Sequence, residues 1–269
     1  MRGVILAAGR GSRLNGGSPE VPKCLVKVGG VSLVERQIAL LRGCGIHDIV
    51  VVVGCQADAV RRVCGTGVRY VENAQFASTN SLYSLWLTRH VLAGGFVVMN
   101  CDVVIHPRLL DDLLTARYED ALLMAYRDEQ DAPFSDEEMK IKVRRGRVAD
   151  MSKQMDPEEA DGENVGIVKF GSAGAELLVP LLDTIVQAGG TREWAPRAFL
   201  EFAQLRPLHA ISTRGLPWTE IDFPEDYERA TNEVLPAIEA DFAGLSARDR
   251  RARTWDATPV ATTGTESRG

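Results

Sequence analysis

Cysteine is sparse in this chain of 269 residues, and the five present are Cys24, Cys44, Cys55, Cys64 and Cys101. Their number is odd and no Cys-x-x-Cys pair occurs, which argues against a disulfide framework and against a zinc site. Most sit in apolar runs, the setting of reduced core thiols. No apolar stretch is long enough to span a bilayer. The N-terminus lacks a signal-peptide pattern, because its apolar run is short and passes straight into a loop. Positive charge is not in excess either: the net charge is −6, which argues against general nucleic-acid binding but leaves room for a local basic site for a small anion. A cytoplasmic protein with no membrane and no nucleic-acid partner is expected.

What is there suits one large α/β domain: 45% apolar and 25% charged residues, enough for a sizeable core. Gly3 to Ala8 reads as a first strand covered on both faces. Ser32 and Glu35 form a capping box for a helix that Gly45 closes. The run "HDIVVVVG" predicts a second strand, 57–64 a short helix, and "VRYVEN" a third strand. "NSLYSLWLTRHVL" has helical spacing, "FVVMNCD" is another buried strand, Pro107 opens a helix, and "ALLMAYR" gives one more strand. This alternation predicts parallel βαβ units. After Arg127 the pattern changes: a hairpin turning at Arg145-Gly146, an acidic solvent loop over 156–163, a strand "NVGIVKF", and a helix from Ser172 to about Gly189. A late strand "LPWTEIDF" precedes a helix opened by Pro224. The expected fold is a Rossmann-like, mostly parallel mixed sheet flanked by helices, with a β-rich insertion at about 128–170. A single domain covers 1–240, and 246–269 reads as a flexible tail. Ligands in such sheets bind outside the carboxyl ends of the strands.

The first loop follows the first strand in "LAAGRGSRLNGGSPEVPK". A dinucleotide turn needs G-x-G-x-x-G, but Leu14 stands at the third position and no helix follows at once. A Walker loop needs Gly-Lys-Ser/Thr, and Lys23 is followed by Cys24. A plain surface loop with solvated charges accounts for each residue taken singly. Their order does more. Gly9, Gly11, Arg13, Pro22 and Lys23 resemble the G-x-G-x-R…Pro-Lys signature of the nucleotidyltransferase superfamily, which includes sugar-1-phosphate nucleotidylyltransferases and small-molecule cytidylyltransferases. "VENAQFASTNSLYSLWL" and "LPWTEIDFPEDYERA" are similar to the branch of phosphocholine, inositol-1-phosphate and phosphonate cytidylyltransferases, over roughly the first 235 residues.

The resemblance implies CTP as donor, a small phosphate or phosphonate acceptor, Mg²⁺ as cofactor, and is compatible with a homodimer. It implies metal ligation by Asp102 and Asp222, where this chain has Cys-Asp in place of the usual Gly-Asp. It places Lys23 and Arg13 on the phosphates, and Leu6, Ala7, Ala8, Gly9, Gly11, Ser12, Gly54, Asn80 and Ser81 at the nucleotide. Lys153 would hold the acceptor phosphate. Glu220 lies on the same strand face as Asp222, which makes it a candidate to support the metal ligand or to touch the substrate. Local readings compete: Asp102 as a loop residue, Asp222 and Asn80 as helix caps, Lys153 as a solvated charge, Asp226 as a first-turn helix charge, and Trp194 and Trp218 as core rather than an amine cage. The chemistry fits the residue types, since glycine amides can approach phosphates and a lysine can neutralise charge at the α-phosphate. The rivals are a sugar-1-phosphate nucleotidylyltransferase using UTP, GTP or dTTP, a glycosyltransferase, whose D-x-D motif is missing, and an inactive regulatory domain.

Overall fold

The computed structural model of the protein describes residues 1–14, 21–127 and 134–243. The expected tail from 246 and the start of the expected insertion, 128–133, lie outside the described residues.

Strand β1 (Arg2–Ala7) leads to a short antiparallel pair, β2 (Lys27–Val28) and β3 (Val31–Ser32), and then to helix α1 (Leu33–Gly43). Next come β4 (Ile49–Val53), α2 (Ala57–Cys64), β5 (Arg69–Glu72) and α3 (Ser81–Leu87). They are followed by β6 (Phe96–Asn100), β7 (Val103–Ile105), α4 (Pro107–Thr115) and β8 (Ala121–Tyr126). The second half holds β9 (Lys140–Arg144), β10 (Arg147–Ser152), β11 (Gly162–Phe170), α5 (Ser172–Gln187) and α6 (Pro196–Leu205). It ends with β12 (His209–Ser212), β13 (Trp218–Glu220), α7 (Pro224–Arg229) and α8 (Leu235–Ala243).

Nine strands form one mixed sheet in the order β5-β4-β1-β6-β11-β8-β12-β10-β9. The first four are parallel, and β11 runs antiparallel to both β6 and β8. Strand β8 therefore keeps the sense of β6 but is separated from it by β11, where uninterrupted βαβ order had been expected. The hairpin of β9 and β10 is hydrogen-bonded to the same sheet through β12 and β11. Its turn is Arg145 and Gly146, both at positive φ, 53° and 74°, as a right-handed two-residue hairpin requires.

Side-chain alternation on β1 divides the core. Ile5 and Ala7 face a layer with Leu41 of α1, Val60 of α2 and Leu110 of α4. Val4 and Leu6 face Leu85 of α3, Leu178 of α5 and Phe202 of α6, as a period of two dictates. A third, smaller cluster (Leu33, Val104, Ile221, Leu235) seats α8 against β7. Ser32 caps α1 with the reciprocal Glu35 bonds predicted for it.

Two further sequence expectations change. The acidic stretch 156–163 is part loop only: Pro157–Glu159 is a 3-10 turn whose N-terminus the Asp156 side chain caps, and Gly162 and Glu163 already belong to β11. The late strand is just Trp218–Glu220, and it pairs with β7 outside the main sheet. Helix α6 and strands β7 and β12 had no forecast. Among the described residues no helix is long and apolar enough to cross a membrane.

Candidate active site

The carboxyl ends of β1 and β6 open on one cleft of about 290 Å³. The Gly-rich loop leaves β1 and folds back on Lys23. At Gly11 φ is +67°, and a Cβ there would lie 2.7 Å from Lys23 Cβ; a side chain would be strained and would push the lysine. Lys23 starts a 3-10 turn after Pro22 and is 8% exposed. Its Nζ donates to Asp102 Oδ2 at 2.6 Å and to Asp222 Oδ1. Burial disfavours the ammonium, but the charges and hydrogen bonds of Asp102 and Asp222 outweigh it and hold the Lys23 pKa above its ordinary value.

The two aspartates come from segments far apart in sequence. Asp102 sits in the turn between β6 and β7, and Asp222 follows β13. The antiparallel pairing of β7 with β13 sets Glu220 opposite Val103, and Ile221 N–H donates to Asp102 C=O at 2.9 Å. Asp226 accepts from the backbone N–H groups of Asp222 and Phe223 at 2.9 and 2.8 Å. The cap of α7 is thus supplied by Asp226 reaching back, not by Asp222, and it fixes the backbone that carries Asp222. One ligand oxygen each from Asp102, Glu220 and Asp222 lies within 4.8 Å of the others. Burial first, then the charges of Asp102 and Asp222, push the Glu220 carboxyl up to about 8. Burial would raise Asp222 too, but Lys23 and Arg13 hold it below the ordinary value.

These residues fit a hard divalent cation. Among the described residues Asp102 Oδ1 is buried with no hydrogen-bond partner, the carboxylates converge, and an ammonium already occupies the space between two of them. All-oxygen donor sets of this kind suit Mg²⁺.

Around this centre Arg13 Nη1 donates to Glu137 Oε2 at 2.6 Å and Nη2 to Asp222 Oδ2 at 2.8 Å. Lys153 Nζ lies 3.5 Å from the same Glu137 oxygen and 4.8 Å from the centre of the Trp194 ring. The cleft lining includes Leu6, Ala8, Gly9, Gly11, Ser12, Asn80 and Ser81. Asn80 Oδ1 accepts from Ser81 N–H at 2.8 Å, so its local role at the start of α3 coexists with a place in the cleft. Ala7 and Gly54 do not line it. The Ala7 side chain is in the opposite core layer, and Gly54 is pressed against Ala8 and Phe76, where a Cβ would come within 2.8 Å of Ala8 O. Arg10 lies over the Phe76 ring at 5.3 Å. Trp194 lines the cleft, whereas Trp218 of β13 packs against the core layer that holds Leu41 and Leu110.

Sequence reasoning did not single out Glu137, Asn73, Phe76, Met139 or Asn164, all of which line the cleft. Asn73 is 1% exposed and its Nδ2 donates to Thr79 and Ser84 hydroxyls at 3.0 Å each; a lone Asn directly after a strand was the available signal. Glu137, inside "SDEEMK", carried none.

The family model of the MobA-like NTP transferase domain matches residues 3–195, and the chain belongs to that family. It is similar to the choline-phosphate cytidylyltransferase of Streptococcus pneumoniae, with 36% identity over 121 residues, 44% of this chain and 52% of that protein. It is also similar to the bifunctional IPC transferase and DIPP synthase of Rubrobacter xylanophilus, with 30% identity over 238 residues, 86% of this chain and 51% of that protein. The chain thus spans about half the length of these two curated relatives. Among solved structures, the CTP:phosphocholine cytidylyltransferase of Streptococcus pneumoniae superposes with a TM-score of 0.67 at 25% identity, covering 85% of this chain and 96% of that one. The nucleotidyltransferase resemblance read from Gly9 to Lys23, and the α/β fold it implied, are borne out.

Proposed function

We propose that the protein transfers CMP from CTP to a small acceptor bearing a phosphate or phosphonate, with release of pyrophosphate. The observation that carries this reading is Lys23, held between Asp102 and Asp222 at the end of a Gly-rich loop: a phosphate-seeking cation and a cation-seeking carboxylate set in one place. The names of the similar proteins, which include choline-phosphate and CTP:phosphocholine cytidylyltransferases, support cytidine as the donor base.

Asp102 and Asp222 would hold Mg²⁺, with Glu220 beside them; bound there, the ion neutralises charge across the phosphates. Lys23 then turns its ammonium from the carboxylates to the α-phosphate, where negative charge builds. Arg13 exchanges Glu137 for the outer phosphates, which its planar fork suits. The amides of Gly9 to Ser12 approach the triphosphate, and Leu6, Ala8, Asn80 and Ser81 bound the space left for the nucleoside. Lys153 holds the acceptor phosphate. An acceptor oxygen attacks the α-phosphorus in line, its bond forms as the bond to the pyrophosphate oxygen breaks, and no covalent enzyme intermediate is needed. In this reading residues 1–240 work as one catalytic domain, with 128–170 on the acceptor side.

Thermal shifts with CTP, UTP, GTP and dTTP, each with Mg²⁺, test the donor. CTP should raise the melting temperature most, since the true donor stabilises the folded state by mass action. A larger shift with UTP, GTP or dTTP would move the protein to the sugar-1-phosphate nucleotidylyltransferases.

A further inference from the structure

We propose that Gln37 of α1 is a positioning residue that sets the metal-binding carboxylate of Asp102, an inference that rests on the nucleotidyl-transfer reading above. Gln37 is 2% exposed, deep in the interface where α1 meets the ends of β6 and β7. Its Nε2 donates to Asn100 C=O at 2.7 Å and to Val103 C=O at 3.2 Å. These two carbonyls bracket Cys101 and Asp102, the only residues between the strands. One side-chain NH₂ group has two hydrogens and here spends one on each end of the turn.

The clamp is completed from two other sides. Cys101 N–H donates to Leu6 C=O at 3.3 Å, and Ile221 N–H donates to Asp102 C=O at 2.9 Å. With main-chain groups on both sides of it fixed, the Asp102 side chain has one oxygen on Lys23 and the other, Oδ1, buried and without a partner among the described residues. That is the arrangement of a ligand held ready for a cation. Gln37 Oε1 is likewise buried without a partner among the described residues. Burying such an oxygen is unfavourable, so an apolar side chain of similar length would serve packing better. What glutamine adds at this position is the pair of donors. Groups that orient a metal ligand without touching the metal typically change metal affinity or activity by about 10- to 100-fold when removed.

The test compares the parent protein with Gln37→Met, which keeps the length of the side chain and loses both donors. Mn²⁺ binding is followed by electron paramagnetic resonance at saturating α,β-methylene-CTP, and the Mg²⁺ concentration at half-maximal pyrophosphate release is measured with CTP. Leu178→Ala, a core truncation in α5 remote from the turn, controls for lost stability. The expected result is Mn²⁺ affinity and a Mg²⁺ midpoint at least about tenfold weaker in Gln37→Met, with the Leu178→Ala values unchanged. Should Gln37→Met aggregate, Gln37→Glu, which keeps the shape and replaces the donor by an acceptor, carries the comparison with the same expectation. Variants within twofold of the parent overturn the inference alone. A parent that binds no Mn²⁺ with the nucleotide overturns the nucleotidyl-transfer reading and this inference with it.

Discussion

Lys23 Nζ bridges Asp102 and Asp222, donating to Oδ2 of the first at 2.6 Å and to Oδ1 of the second. Residues separated by 79 and 199 positions in sequence thus share one charge-balanced centre, with all three side chains less than a fifth exposed. The ammonium offsets the charge of carboxylates that, in the proposed function, would also hold Mg²⁺.

Replacing Lys23 by methionine should therefore do two separable things. Turnover should fall by about 10²- to 10³-fold, the usual effect of removing one group that meets developing charge. The metal-free protein should also lose up to about 3 kcal/mol of stability, because two nearly buried carboxylates are left facing each other. Added Mg²⁺ should then raise the melting temperature of Lys23→Met by more than it raises the parent's, which differential scanning fluorimetry measures directly.

Glu137 holds Arg13 and approaches Lys153, so in the proposed reaction it would compete with the phosphates of both substrates. Glu137→Gln should tighten CTP binding by about two- to fivefold, the range of an exposed ion pair. The gain should shrink as salt is added. Calorimetric titrations at two ionic strengths check both statements.

Metal binding should release a proton near neutral pH. Burial and the two aspartates push the Glu220 carboxyl up to about 8, so below that pH it carries a proton in the metal-free protein. A cation beside it favours the ionised form and drives the proton off. Calorimetry of Mg²⁺ binding with CTP at pH 7, in two buffers of different ionisation enthalpy, should give a net release that Glu220→Gln removes.

Gly9 and Gly11, at the start of the loop, should fail in different ways. Among the described residues no heavy atom lies within 4 Å of where a Cβ on Gly9 would stand, whereas Gly11 is at φ +67° with Lys23 in the way. Gly9→Ala should keep its melting temperature and lose CTP affinity, because the new methyl group stands where amides approach phosphate. Gly11→Ala should lose about 1–2 kcal/mol of stability from the left-handed backbone alone, and activity with it.

Much of this arrangement is legible before folding. The buried runs of β1, β4 and β6 announce a parallel sheet, and the glycines, Arg13 and Lys23 fall in order just beyond the first of them. Strand β11 is legible as a strand but not as an antiparallel insertion between β6 and β8, since pairing partners leave no local mark. Strand β12 escapes because all four of its residues are only half-buried, which blurs alternation. Glu137 and Gln37 were invisible for the same reason: a polar residue in a polar stretch, or one Gln on an amphipathic helix, gains its meaning from what the fold sets opposite it. Gly54 shows the converse, a glycine at a strand end whose lack of a side chain permits close packing against Ala8 and Phe76, two residues that line the cleft.

Cytidylyl transfer itself can be followed by incubating the protein with CTP, Mg²⁺ and a panel of phospho-alcohols and alkylphosphonates, and measuring pyrophosphate together with the mass of the nucleotide product. Stoichiometric pyrophosphate and one acceptor carrying an added CMP are expected, with both signals lost in Asp102→Ala and Lys23→Ala. Unchanged turnover in those two variants, or a product that retains the triphosphate, would contradict the proposed function.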